Sequence, residues 1–161
     1  MSTDRNPAVR VPPRPVIRIA WVLHRAIHRF SGGRVGLTRP VVGKKFGMLR
    51  LTTIGRRSGQ PRVAIVGYLE DGPNLVTLAM NGWAQAEPAW WLNLQSQPET
   101  VVVLKDGPRA VRGRAAEAEE RDRLWARWRE FNDSYDAWAA MRSAQTAIVV
   151  LEPRTAGEVA A

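Results

Sequence analysis

Apolar and polar residues alternate with two different periods along this chain, and the change between them divides it. From Val16 to Phe30 the apolar residues Val16, Ile19, Leu23, Ile27 and Phe30 recur three or four apart, the spacing of one helix face. Arg18, Arg25 and Arg29 fall on another face, and Ser31-Gly32-Gly33 supplies a stop. From Met48 the pattern shortens. Met48–Ile54, Arg62–Leu69 and Asn74–Met80 read as strands, joined by the turns Gly55–Pro61 and Glu70–Pro73. Pro88 suits the first turn of a helix that continues over Ala89–Gln97 and ends before Pro98. Thr100–Lys105 and Arg109–Ala115 form a hairpin around Asp106-Gly107-Pro108. Glu117–Phe131 predicts a charged helix with Leu124, Trp125 and Trp128 inward, Tyr135–Met141 a short helix, and Thr146–Leu151 a closing strand.

A meander of short antiparallel strands is not the βαβ alternation of a parallel sheet. The expected fold class is α+β, mainly β: a small barrel with helices at its mouth and a basic N-terminal helix. Three parts follow: a basic arm and amphipathic helix over residues 1–46, the barrel domain over 47–154, and a tail over 155–161.

Charge sharpens this division. Residues 1–46 hold ten of the 24 Lys and Arg but one of the 15 acidic residues, so the whole net charge of +9 sits there. The remainder is neutral. A basic arm predicts an anionic membrane surface or nucleic acid as its neighbour. The helix at residues 16–30, carrying Trp21, can lie on an anionic bilayer. It can equally pack its stripe on the domain or on a second subunit, and a homodimer is one partner considered. Nucleic acid is not expected, because the neutral body lacks aromatics interleaved with a basic patch. No apolar run reaches the length of a membrane span, and nothing resembles a signal peptide. The expected location is the cytoplasmic side, with peripheral contact on the inner face of the cell membrane as one reading.

Composition also limits the chemistry. The 161 residues include no cysteine and two histidines, His24 and His28, both in the arm. Disulfides, thiolate metal sites and cysteine nucleophiles are excluded, and no metal site or His-based triad is expected in the body. A bound cofactor, or side chains other than His and Cys, must do the work.

The segment Leu49–Val103 holds the two constellations that suit such a cofactor. In the turn Gly55–Arg62, three arginines (Arg56, Arg57, Arg62) surround a tight Ser-Gly-Gln-Pro corner. Guanidinium groups match phosphate and carboxylate oxygens bidentately, and Ser58 with the backbone N–H groups adds donors. A solvated hairpin turn would carry the same residues. The second constellation is Ala79–Leu94, where Asn81-Gly82 ends a strand and a helix starts near Pro88. A helix start favours an anionic or electron-rich ring. Trp90 and Trp91 are adjacent and point to different sides, one to the core and one to a pocket or interface.

Together the strings Thr52-Thr53-Ile54-Gly55-Arg56-Arg57-Ser58-Gly59-Gln60-Pro61-Arg62, Tyr68-Leu69, Asn81-Gly82, Pro88-Ala89-Trp90-Trp91-Leu92-Asn93-Leu94, Pro98 and the ending Ile148–Pro153 resemble the deazaflavin-dependent nitroreductase family. The likeness covers about residues 47–153. It implies a split β-barrel of the flavin-binding type and coenzyme F-420, an 8-hydroxy-5-deazaflavin with a phosphate and an oligoglutamate tail. It places Arg56, Arg57 and Arg62 on the anionic groups, and Ser58 along the ring and linker. Val63, Ala64, Ile65, Val66, Gly67, Leu78, Ala79, Met80, Asn81, Ala89, Trp90, Trp91, Leu92 and Asn93 fall along the ring and linker, and Trp138 shapes the cavity. Tyr135 is the phenol positioned as a proton donor.

Four departures from the family pattern are visible. Asn81 stands where a relative has lysine, and Gly67 replaces a tyrosine. The tyrosine-rich pocket segment reads Tyr135, Trp138 and Met141, and the string before the last strand reads Ala144-Gln145-Thr146-Ala147. The resemblance implies an oxidoreductase in which the reduced deazaflavin donates hydride to a small hydrophobic acceptor: a quinone, an enone or a nitro compound. The alternative expectation is a membrane-associated protein that binds lipid or deazaflavin with little turnover.

Overall fold

The computed structural model describes residues 36–155; the predicted helix at residues 16–30 and the end of the tail lie outside the described residues. Six strands form a closed antiparallel barrel: β1 (Gly47–Ile54), β2 (Pro61–Asp71), β3 (Asn74–Leu78), β4 (Glu99–Leu104), β5 (Gly107–Ala115) and β6 (Ile148–Pro153). Their order around the wall is β1-β2-β3-β6-β5-β4. The first three strands run as a meander. The chain then passes through helix α1 (Ala89–Ser96) to the opposite side of β1, where β4 pairs through Arg50–Val103 and Thr52–Val101. Helices α2 (Ala118–Arg129) and α3 (Tyr135–Ala140) precede β6, which enters between β5 and β3 and closes the wall.

Alternation explains which residues fill the barrel. Leu49, Leu51, Val66, Tyr68, Leu75, Val102, Leu104, Val111, Val149 and Leu151 point inward, and α1 plugs one end with Trp91 and Leu94. Gly113 makes room for that plug: a Cβ there would lie 3.1 Å from Leu94 Cδ1. The uninterrupted run Ile148-Val149-Val150-Leu151 has a different origin. Ile148 and Val150 face outward under α2 and α3, among Leu69, Val76, Leu78, Leu124, Trp128 and Tyr135. A strand buried on both faces reads as a continuous apolar run.

Strand boundaries differ from expectation where backbone pairing continues past the turn residues. β2 runs on through Asp71, paired with Asn74, because Gly72 at φ 59° completes a turn tighter than the sequence string suggests. Pro88 caps α1 in an extended conformation and precedes its first turn. Trp125, expected inward, is half-buried and donates its Nε1–H to Asp136 Oδ1 at 2.6 Å.

Charged clamps hold α2 to the barrel. Asp71 accepts two bonds of 2.8 Å from Arg123 and one of 2.9 Å from Arg127. The hydrogen bonds from Arg123 in particular hold its carboxyl below the usual range. A carboxyl depressed in the folded state stabilises above its unfolded pKa and loses that contribution as pH falls through the folded value. Urea unfolding should therefore show Asp71→Asn less stable than the parent at pH 7. The gap should narrow as pH falls below about 4, where carboxylates protonate. A gap independent of pH would remove the ion pairs as its cause.

Candidate functional site

A cleft with a volume of about 1280 Å³ opens on the described surface. Its walls come from the arginine turn, the outer face of β2, the loop after β3, the start of α1, and aromatic residues of α2 and α3.

The turn between β1 and β2 is built by local necessity. Gly59 sits at φ 64°, and a Cβ on Gly55 would lie 2.7 Å from Ser58 Oγ, so both glycines are demanded by geometry. Gly55 donates to Gln60 O at 2.8 Å, and Gly59 donates to Gly55 O at 2.7 Å. Ser58 Oγ accepts from the Gln60 N–H and from Arg62 Nη2 at 3.3 and 3.2 Å. Arg56, Arg57 and Arg62 are exposed on the cleft, and among the described residues none has a carboxylate partner. Arg114 on β5 behaves differently: it pairs with Glu120 and Glu152, each at 2.7 Å.

Asn93 ties this turn to the core. Its side chain is 3% exposed. Nδ2 donates to Thr53 Oγ1 at 3.1 Å, and Oδ1 accepts from the Arg56 N–H at 3.1 Å. One amide thus fixes α1, β1 and the first arginine together.

The cleft then follows β2 through Val63, Ala64, Ile65, Val66 and Gly67. An extended strand rises about 3.3 Å per residue, so Gly67 lies roughly 16 Å from Arg62. The absence of a side chain at Gly67 has a structural cause. A Cβ there would lie 3.0 Å from the Phe46 ring, which occupies the space that a large side chain at 67 would need. Phe46 packs on Trp128 at 5.9 Å between ring centroids, and Trp128 packs on Tyr135 at 6.2 Å.

The far wall is aromatic and strained. Asn81, Gly82 and Trp83 have φ of 44°, 61° and 62°, three successive left-handed residues. A bulky residue at positive φ costs on the order of 1–3 kcal/mol and persists only where its surroundings impose it. Here the turn places the Trp83 ring 5.4 Å from Tyr135 and 5.8 Å from Trp138. Asn81 donates Nδ2 to Ala86 O at 3.0 Å, so its side chain serves the loop. Tyr135 is 6% exposed, and burial pushes its phenol pKa up. The other tyrosine, Tyr68, is in the barrel interior, where burial lifts it to about 12.

Of the residues expected at the site, Arg56, Arg57, Ser58, Arg62, Val63, Ala64, Ile65, Val66, Gly67, Leu78, Met80, Asn81, Ala89, Trp90, Asn93 and Tyr135 line the cleft. Four do not. Ala79 and Trp91 are core residues, Leu92 is half-buried on α1, and Trp138 stands behind Trp83 and Tyr135. On α1 the helical turn sends Trp90 to the cleft and Trp91 into the barrel, which resolves the adjacent pair. Sequence reading missed Phe46, Thr77, Trp83, Gln85 and Trp128 on the wall, whereas Met141, named with the pocket segment, does line it. Trp83 carried a usable signal, following Asn81-Gly82 directly; Phe46 carried none.

Such a barrel, with an outer cleft bordered by arginines and aromatic rings, is a split barrel of the flavin-binding class. Residues 21–153 match the family described as F-420H(2)-dependent quinone reductase. An F-420H(2)-dependent quinone reductase of Mycobacterium tuberculosis is 30% identical over 137 residues, covering 82% of this chain and 89% of the relative. Among solved structures, an F-420-H2 dependent reductase superposes with a TM-score of 0.60 at 23% identity, over 72% of this chain and 96% of that one. A chain solved as a domain-swapped dimer superposes with a TM-score of 0.62 at 21% identity, covering 86% and 99%. This chain belongs to the F-420H(2)-dependent quinone reductase family, a family of oxidoreductases whose cofactor is coenzyme F-420. The deazaflavin resemblance is thereby borne out, with quinone reduction as the activity in the family's description. Among the described residues, no helix is long and apolar enough to cross a membrane.

Proposed function

We propose that the cleft holds reduced coenzyme F-420 and that the chain transfers hydride from it to a quinone-class acceptor. The observation that carries this reading is the set of three cleft arginines that have no carboxylate partner among the described residues, at one end of a floor leading to an aromatic wall. A phosphate and a carboxylate tail require fixed cations, and Arg56, Arg57 and Arg62 supply them beside the Ser58 hydroxyl. The coenzyme supplies a two-electron hydride donor when bound. Val63, Ile65 and Gly67 give a largely apolar floor on which a planar ring can lie, and Trp90, Trp83 and Met80 exclude water from it.

Reduction of a quinone by hydride leaves an oxyanion, which takes up a proton to give the quinol. Tyr135 holds that proton. Its raised pKa keeps the phenol protonated at neutral pH, and its position on the cleft makes it available to an acceptor oxygen. The direct experiment is anaerobic mixing of the protein with reduced coenzyme F-420 and a naphthoquinone, following oxidation of the coenzyme. A parent protein that neither binds nor oxidises the reduced coenzyme would overturn the reading. Tyr135→Phe should bind the coenzyme normally and turn over at least about tenfold more slowly, the lower range for loss of a general acid. The parent rate should stay flat from about pH 6 to 9, because a phenol raised above its ordinary value does not titrate there.

A further inference from the structure

Behind the aromatic wall lies a buried arginine that no motif marks. The Arg142 side chain is 0% exposed. Its Nε–H donates to Ala84 O at 2.9 Å, and Nη1 donates to Ala79 O at 3.1 Å and Thr146 Oγ1 at 2.7 Å. Nη2 meets Glu87 Oε1 at 3.3 Å. One planar group therefore touches the loop after β3 at its beginning, its middle and its end, and fastens it to Thr146, two residues before β6. Nearby, Gln85 donates to Met141 O at 2.6 Å and accepts from the Ser143 N–H at 2.8 Å, a second stitch between the same two segments. The loop so held contains the left-handed turn Asn81–Trp83, and the segment holding it follows the helix that carries Tyr135.

We propose that Arg142 is a positioning residue for the acceptor side of the cleft, acting through Trp83. Without it, the carbonyls of Ala79 and Ala84 lose their buried donor, and nothing else described holds the loop across its whole length. A lysine cannot replace it, since an ammonium lacks the planar fork that reaches acceptors on separate sides at once. Arg142 touches neither the arginine turn nor the β2 floor, so the grip on the coenzyme does not depend on it. The inference rests on the cleft being the coenzyme and acceptor site, but its structural half can be read without turnover.

The test compares Arg142→Lys and Arg142→Met with the parent, full chain in each case. Amide exchange at Trp83, whose N–H is bonded to Met80 O at 2.6 Å, and at Ala84 should accelerate at least about tenfold while barrel amides of β1 and β4 hold. The KM for a naphthoquinone should rise about tenfold or more, with coenzyme F-420 affinity within about threefold of the parent. Exchange that accelerates evenly across the barrel, or not at all, overturns the proposal, as does an unchanged KM alongside a loosened loop. If the parent shows no turnover, the functional reading has failed, and the exchange pattern alone decides whether Arg142 holds the loop. Thr146→Val, which deletes one acceptor of Arg142 and keeps the side-chain shape, gives the same comparison should both arginine variants fail to fold.

Discussion

Arg56→Ala and Arg62→Ala should each weaken coenzyme F-420 binding by about 10- to 150-fold, the equivalent of roughly 1.5–3 kcal/mol for a charged hydrogen bond. The folded protein should barely notice. Neither guanidinium is buried, neither has a carboxylate partner among the described residues, and Arg62 Nη2 donates to Ser58 Oγ at 3.2 Å. Exposed cations held close together on a neutral body repel one another and gain little from the fold, so they are retained at no structural benefit. A ligand with a phosphate and several carboxylates changes that balance, because each oxygen pair matches one planar fork. Coenzyme fluorescence titration at two ionic strengths checks the effect. Affinity should also fall with salt, as it does for partly exposed charges. Unchanged affinity in both variants would remove the arginine turn from the binding site.

Asn93→Leu is expected to act on stability and binding together. The variant keeps the helical residue and its approximate volume, but loses both bonds of the buried amide. It leaves the Thr53 hydroxyl without its donor and the Arg56 N–H without its acceptor. Orphaning a buried polar group such as the Thr53 hydroxyl costs about 1–3 kcal/mol and the part-buried Arg56 N–H costs less, so a loss of roughly 2–4 kcal/mol in urea unfolding is expected. Coenzyme affinity of the folded fraction should fall as well, since Arg56 then lacks the anchor that orients its backbone. Arg56→Ala, by contrast, should lower affinity and leave stability intact. If Asn93→Leu proved as stable as the parent, water would be replacing both bonds, and the link from α1 to the turn would carry no weight.

The other cleft wall shows how a substitution far along the chain is compensated. Gly67 leaves a gap on the outer face of β2, and Phe46, arriving from before β1, fills it while packing on Trp128 and Phe131. The small residue and the ring are 21 positions apart and act as one surface. This end of the cleft is therefore bounded by tryptophan and phenylalanine rings around the Tyr135 phenol, a wall suited to a flat apolar ligand.

Period and local chemistry determined much of this protein before any folding was considered. Alternation in Met48–Ile54 and Arg62–Leu69 defined strands because one face of each must be buried. Gly55, Ser58, Gly59 and Pro61 defined the turn because few residues tolerate its geometry. The arginines of that turn were visible for the same reason, being near neighbours in the chain. What depended on the tertiary structure was every relation between distant segments. Asn93 read as a cleft residue, and only packing of α1 on β1 made it the anchor of Arg56. Trp90 and Trp91 were indistinguishable until the helix took its rotation against the barrel. Trp83, Phe46 and Arg142 became meaningful when loop, arm and helix converged. Local rules govern backbone conformation over a few residues. A cleft is formed by side chains whose separation in sequence is unrelated to their separation in space.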